Sequence, residues 1–184
     1  NRMVYGIDMH HGWNSTGYLE ESTPDIYKDP IEVYAKGKGW RIIRIDAEPL
    51  TNKYLQQQGI TILHIRNVHL PYTEKEIAEI EDFVKQGGGL LLQADAPQCR
   101  LWAKEVARKF GVIITHDGIS DLTVTVSSHH PLMQDVNSFH VSRSGQCDGV
   151  GVSSYLSVNT PSQPVLEGGR TEPYRPIIAA AEYG

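Results

Sequence analysis

Short apolar runs alternate with amphipathic segments along the first two thirds of the chain. The runs are apolar at nearly every position, which is typical of strands buried on both faces of a parallel sheet. They predict five parallel strands near residues 3–8, 41–46, 60–66, 89–94 and 112–115. The segments between them place apolar residues at helical spacing, so strands and helices alternate as they do in a three-layer α/β domain.

The helical segments carry boundary signals. Pro30 stands where a helix accepts proline, in its first turn. Thr73 and Glu76 have the spacing of a capping box, and Gly87 follows the last apolar position of that segment. A further amphipathic segment ends at Gly111. These signals predict one helix that begins at Pro30, one that begins after Thr73, and one that ends at Gly111.

The pattern changes beyond about residue 115, where β-like pieces are joined by Ser, Pro and Gly. We therefore predict an α/β fold with a mostly parallel sheet of five or more strands, and with extra β segments in the C-terminal third. A chain of 184 residues is long enough for one large core, so we expect a single domain over residues 1–184.

Composition and charge narrow the classes of function. The net charge is −5 without a basic cluster, so we expect no nucleic-acid partner. No apolar run approaches the ~20 residues of a membrane span, and no signal peptide is recognisable, which leaves both a cytoplasmic and a secreted location open. Gly87 to Gly89 precede a strand instead of opening a helix, which argues against a phosphate loop. No cofactor is expected.

Polar residues follow the predicted strands, at the edge where ligands bind in open α/β sheets. The first strand runs into "DMHHG", residues Asp8 to Gly12, and polar residues also follow the third and fourth strands. We predict that these groups line one polar, ligand-binding pocket, with a histidine of a later loop returning over it. The predicted residues are Asp8, His10, His11, Asn67, His69, Asp95 and His129.

Several interpretations of "DMHHG" stay open. Asp8 can accept backbone N–H bonds from the next turn while both histidines stay solvated, and a non-functional position is favoured for His11. Alternatively, Asp8, His10 and Asp95 can serve as acid/base groups, because carboxylates and a histidine that meet at one edge perturb each other's pKa. A metal requires three or more converging ligands, and this stretch offers two or three, so metal binding is left open.

Longer stretches resemble a known superfamily. The segment "YTEKEIAEIEDFVKQGGGLLLQAD" (Tyr72 to Asp95), followed by "WAKEVARKFG" (Trp102 to Gly111), resembles the class I glutamine amidotransferase-like fold. The similarity is greatest to its non-amidotransferase branch, which includes trehalose-utilisation-protein-like domains. "SSHHPLMQDV" and "PIIAAAEYG" resemble other segments of that branch. The resemblance implies a flavodoxin-like fold and a domain that accompanies carbohydrate-active enzymes.

Two departures from the family bear on function. The chain has Asp95 where amidotransferases place their catalytic cysteine, and it lacks the downstream His-x-Glu, so no glutaminase activity is expected. The chain also stops where the family continues, so we expect a piece of a longer protein. We therefore expect a non-catalytic accessory domain that binds a small molecule, a sugar or a neighbouring domain of the parent chain. The alternative is a hydrolase or isomerase that uses Asp8, His10 and Asp95, with or without a metal.

Overall fold

The computed structural model describes residues 3–12, 30–66, 68–93, 97–119, 122–126, 130–141, 153–168 and 175–182. Three predicted site residues, Asn67, Asp95 and His129, lie outside these described residues. The chain divides into two units, residues 1–93 and residues 94–184. The expectation of a single domain stays a prediction.

A parallel sheet organises the first unit. Its strands are β1 (Val4–Asp8), β2 (Arg41–Ile45), β3 (Ile62–Arg66) and β4 (Gly89–Gln93), in the order β2-β1-β3-β4. All three neighbouring pairs are parallel, so the prediction is confirmed for the first four strands. This order belongs to a flavodoxin-like α/β sheet, in which the carboxyl ends of β1, β2 and β3 lie side by side.

The helices of the first unit begin and end at the expected signals. They are α1 (Pro30–Gly37), α2 (Asn52–Gln57) and α3 (Glu74–Lys85). The Thr73–Glu76 capping box is formed in both directions, as predicted. Gly87 has a φ of 94°, a left-handed conformation that glycine adopts without steric cost and that ends α3.

The core of the first unit follows the two-residue alternation of β1. Tyr5, Ile7 and Met9 form a buried cluster on one face, against which Ile31 of α1 packs. Residue 6 points to the other face. A Cβ there would lie 2.8 Å from a side-chain carbon of Ile45, so glycine permits close packing behind the strand.

The fourth strand is less buried than predicted. We expected it to be fully buried, but Leu91 is 38% exposed, and the strand alternates between half-buried and exposed positions. Its place in the order explains this, because β4 is an edge strand of the described sheet. The apolar run at residues 89–94 thus predicted a strand correctly, but the burial of its side chains is lower than the run implied.

The second unit differs from the prediction in its first strand. It begins with α4 (Pro97–Lys109), followed by β5 (Val112–Ile119), which was expected to be a fifth parallel strand. Instead, β5 pairs antiparallel with β8 (Ser153–Val158). The physical reason is tertiary: Gly111 accepts a hydrogen bond from Asn159, and this anchors the start of β5 beside the end of β8.

The remaining strands of the second unit pair locally and antiparallel. One pair consists of β6 (Leu122–Thr125) and β7 (Ser138–Val141), with a short 3₁₀ helix at Pro131–Met133 between them. The other pair consists of β9 (Ser162–Gly168) and β10 (Arg175–Ala181). The predicted extra β segments in this part of the chain are therefore confirmed. In the described part of the chain, no helix has the length and apolarity that crossing a bilayer requires.

Candidate functional site

Asp8 is the anchor of the turn that follows β1. It is 1% exposed, and each of its carboxylate oxygens has two partners. Oδ1 accepts the backbone N–H groups of His10 at 2.9 Å and His11 at 3.1 Å. Oδ2 accepts the hydroxyl of Tyr72 at 2.5 Å and lies 3.0 Å from Nδ1 of His11. The interpretation that Asp8 caps the following turn is thus confirmed, and its carboxylate makes side-chain contacts as well.

His11 is buried between two carboxylates. Its Nδ1 faces Asp8, and its Nε2 lies 3.4 Å from Oε1 of Glu76 on α3. Its ring stacks on Tyr72 with centroids 3.9 Å apart. The side chain is 3% exposed, so the alternative in which both histidines stay solvated is wrong. The reason is that the capped turn bends back over α3, which the alternation of an extended strand does not predict.

The capping box of α3 places Glu76 in this site. Its Oε2 accepts the backbone N–H of Thr73 at 2.9 Å and the Thr73 hydroxyl at 2.8 Å. Its other oxygen, Oε1, accepts the backbone N–H of Leu50 at 2.9 Å and faces His11. One carboxylate therefore caps α3, holds the chain before α2 and neutralises a buried histidine. Sequence reasoning identified Glu76 as a cap but missed its contact with His11.

The buried groups shift each other's pKa. Burial alone lowers the pKa of His11, but the hydrogen bond to Asp8 and the charges of Asp8, Glu76 and Glu48 outweigh it, so the pKa lies above its ordinary 6.5. Burial disfavours the charged form of Glu76 too, which for a carboxyl group raises the pKa. Its hydrogen bonds and the charge of His11 outweigh burial and bring the pKa of Glu76 below 4.5. Burial, reinforced by Asp8, holds the pKa of Tyr72 well above 10, so its hydroxyl stays a donor.

His10 is the accessible histidine of the pair. Its side chain is 23% exposed, and its ring meets that of His11 edge-on at 4.8 Å. Nδ1 lies 3.7 Å from Oδ1 of Asp46, and Nε2 lies 3.4 Å from Oε2 of Glu48. Both carboxylates follow β2 and are largely exposed. The described edge of the sheet thus presents a half-exposed histidine flanked by two carboxylates.

The end of β3 approaches the same turn through the backbone. The N–H of His69 donates to the carbonyl of His11 at 2.7 Å, and His69 itself is exposed. Gly12 lies so close to β3 that a Cβ there would be 2.9 Å from the carbonyl oxygen of Arg66 and 2.6 Å from that of Asp8. The turn therefore packs backbone against backbone, which requires glycine at position 12.

The predicted site is assembled in part. The structure brings Asp8, His10, His11 and the backbone of His69 together, as the strand order implied. Tyr72 and Glu76 complete the buried part, although sequence reasoning treated them only as the start of α3. Among the described residues, no group of three or more His, Cys, Asp or Glu is arranged to hold a metal ion.

Comparison with known proteins shows a similarity in three-dimensional structure. No family model and no curated protein matches the chain. A solved structure described as the mmIFT52 N-terminal domain is similar, with a TM-score of 0.66 and 14% sequence identity. The likeness covers 96% of this chain and 78% of that one. At this identity it concerns the α/β fold alone, and the resemblance to the glutamine amidotransferase-like superfamily stays a prediction.

Proposed function

We propose that this chain is a non-catalytic accessory domain that binds a partner protein through the exposed carboxyl edge of its sheet. The observation that carries the proposal is the state of Asp8. An ionised carboxylate offers about four acceptor positions, and the four contacts from His10, His11 and Tyr72 occupy them. A buried carboxylate that is fully engaged within the fold has no position left for a substrate.

The same argument applies to His11. Both of its ring nitrogens face buried carboxylates, so neither is directed at solvent or at a reacting group. General acid/base catalysis requires a group within hydrogen-bond reach of the proton that it moves. Of the residues that suggested a hydrolase or isomerase, Asp8 is thus used, together with His11, to hold the turn after β1 in place, and His10 is the accessible one. The engagement of Asp8 supports a binding role over a catalytic one.

The chemistry of the exposed edge indicates the class of partner. Asp46 and Glu48 are 82% and 74% exposed and flank His10, so the edge carries negative charge in water. Such a surface attracts a cationic segment and increases its rate of association. Leu70, which is 48% exposed, follows His69 on the adjoining loop and adds apolar area. The similar solved structure is itself described as an N-terminal domain of a larger protein, which fits an accessory role.

A turnover assay separates the domain from an enzyme. The full chain is incubated with glutamine, followed by ammonia release, and with p-nitrophenyl acetate and p-nitrophenyl glucoside, followed by absorbance. We expect the parent and His10→Ala to give the same rates as buffer. Turnover that is present in the parent and lost in a folded His10→Ala variant contradicts the proposal, because it assigns His10 a catalytic role.

A binding experiment tests the partner class. An oligolysine peptide is added to the ¹⁵N-labelled full chain, and we expect shifts in the amide signals of His10, Asp46 and Glu48. The double variant D46N/E48Q is expected to abolish these shifts. The matched control Asp82→Asn removes an exposed carboxylate on α3 and is expected to retain them.

Trehalose, a neutral disaccharide, is the second probe in the same experiment. Shifts at the edge with trehalose and none with oligolysine contradict a cationic protein partner and identify a sugar ligand instead. An absence of shifts with both probes contradicts the assignment of this edge as the binding surface.

A further inference from the structure

The turn after β1 is held to α3 by one buried set of side chains, which we name the His11 clasp. It consists of Asp8 at the end of β1, His11 in the turn, Tyr72 before α3 and Glu76 in its first turn. All four are at most 8% exposed. Because the two carboxylate partners of His11 are 3 and 65 positions away, the clasp joins distant parts of the first unit.

The geometry of the clasp requires two protons on one imidazole ring. Nδ1 and Nε2 of His11 each face a carboxylate oxygen, at 3.0 and 3.4 Å. Ionised carboxylates only accept, and a neutral imidazole has one N–H and one lone pair. With neutral His11, a lone pair therefore faces a carboxylate, and two buried negative charges lose the positive charge between them. Charges in a buried site are tolerated only when they are compensated.

Charged and titratable groups face His11 from several elements of the first unit. Asp8 faces it from β1 and Glu76 from α3, and Glu48 adds negative charge from beyond β2. The Tyr72 ring stacks on it, and the ring of His10 meets it edge-on. Asp46 faces His10 from the solvent side. The clasp is thus negatively charged on most sides.

We propose that the His11 clasp is a pH-sensitive device, in which protonated His11 holds the turn of residues 9–12 against α3 and the loss of that proton releases it. The consequence for binding rests on the proposed function, because His10 of the exposed edge lies on the same turn. The device itself does not depend on any partner.

The direction of the pH dependence follows from the two shifted pKa values. His11 has its pKa raised above 6.5, so its contribution is complete below pH 6.5 and is lost as the pH rises through the raised value. Glu76 has its pKa lowered below 4.5, so its contribution is complete above pH 4.5 and is lost as the pH falls through the lowered value. Both contributions are complete between pH 4.5 and pH 6.5, so the clasp is strongest in this mildly acidic range.

Two backbone amides report whether the clasp is closed. The N–H groups of His69 and Leu70 donate to the carbonyl of His11. Release of the turn breaks both bonds. Their protection from hydrogen exchange, corrected for the intrinsic effect of pH, is thus a local measure of the device.

The experiment uses the full ¹⁵N- and ¹³C-labelled chain from about pH 5.5 to about pH 8.5. The ring signals of His11 give its pKa, which we expect above 6.5. Protection of the two reporter amides is expected to fall about tenfold for every pH unit by which that measured pKa exceeds 6.5. The amide of Leu63, a buried residue of β3 between β1 and β4, is expected to keep its protection.

Variants decide whether the clasp causes the effect. Glu76→Gln keeps a residue type that the capping box accepts, so the chain is expected to fold, with a lower pKa at His11 and a weaker pH dependence. His11→Gln is expected to remove the pH dependence altogether. The control His10→Gln removes the neighbouring histidine and is expected to retain it.

Several results overturn the proposal. One is a His11 that titrates at or below pH 6.5. Another is a pH dependence that survives Glu76→Gln unchanged or disappears in His10→Gln. If His11→Gln does not fold, the Glu76→Gln titration alone decides whether the proposal stands. A failure of oligolysine to bind changes none of these readouts, so the two proposals fail separately.

Discussion

Removal of the Tyr72 hydroxyl is expected to destabilise the first unit without disturbing its packing. Tyr72→Phe deletes the 2.5 Å hydrogen bond to Oδ2 of Asp8 and leaves the ring stacked on His11 at 3.9 Å. A hydrogen bond to a charged group contributes about 1.5–3 kcal/mol to the free energy of unfolding. Asp8 keeps its other three contacts, so we expect a loss at the lower end, about 1.5–2 kcal/mol.

Urea unfolding at mildly acidic pH measures this loss, because the clasp is then closed. The NMR signals of β1 and β3 should be followed, since the chain has two units and a whole-chain signal can mix two transitions. The matched control is Tyr34→Phe, the same substitution at a tyrosine of α1 that is 57% exposed. We expect the control to stay within about 0.5 kcal/mol of the parent.

Two results refute the reasoning. If Tyr72→Phe is as stable as Tyr34→Phe, the hydroxyl does not stabilise the Asp8 carboxylate. If it costs more than about 4 kcal/mol, the substitution has disrupted packing as well, and the clasp is not a locally satisfied network.

The other predictions concern the backbone of the turn and the helix cap. Gly12→Ala is expected to cost about 1–3 kcal/mol, because its Cβ would meet the carbonyl oxygens of Asp8 and Arg66, whereas Gly37→Ala at the end of α1, where nothing lies within 4 Å, is expected to be neutral or stabilising. Equal urea midpoints for the two variants contradict this. Thr73→Ala removes the two hydrogen bonds of the Thr73 hydroxyl, one to the carboxylate and one from the backbone N–H of Glu76, and is expected to cost about 0.5–2 kcal/mol, with faster amide exchange in the first turn of α3. Unchanged exchange there would show that the cap is dispensable.

The residues after β1 show what position at a strand end does and does not predict about a site. Chemistry-bearing residues occur at the predicted edge, which is where the topology of the sheet places them. Their arrangement nevertheless turns two of them, Asp8 and His11, into the interior of the first unit. Position at a strand end therefore predicted proximity, but it carried no information on accessibility, and accessibility distinguishes a structural network from a reactive one.

The elements of the first unit were predictable from the sequence because their signals are local. A strand such as Ile62–Arg66 is encoded by consecutive apolar residues, and the start of α3 by Thr73 and Glu76, three positions apart. The side chains that define these signals are close in sequence, so their interactions depend little on the tertiary structure. The parallel direction of the first four strands also followed, because strands joined by crossover helices pair in parallel.

Only the tertiary structure decided which residues meet across long separations. The sequence predicted a strand at residue 112 but gave it the wrong, parallel direction, because direction depends on a partner about forty residues later. It identified His11 but not its burial, because Tyr72 and Glu76 lie more than sixty positions away. The physical reason is the same in both cases: the free energy of a contact between distant residues depends on how the whole chain packs, and no window of neighbouring residues contains that information.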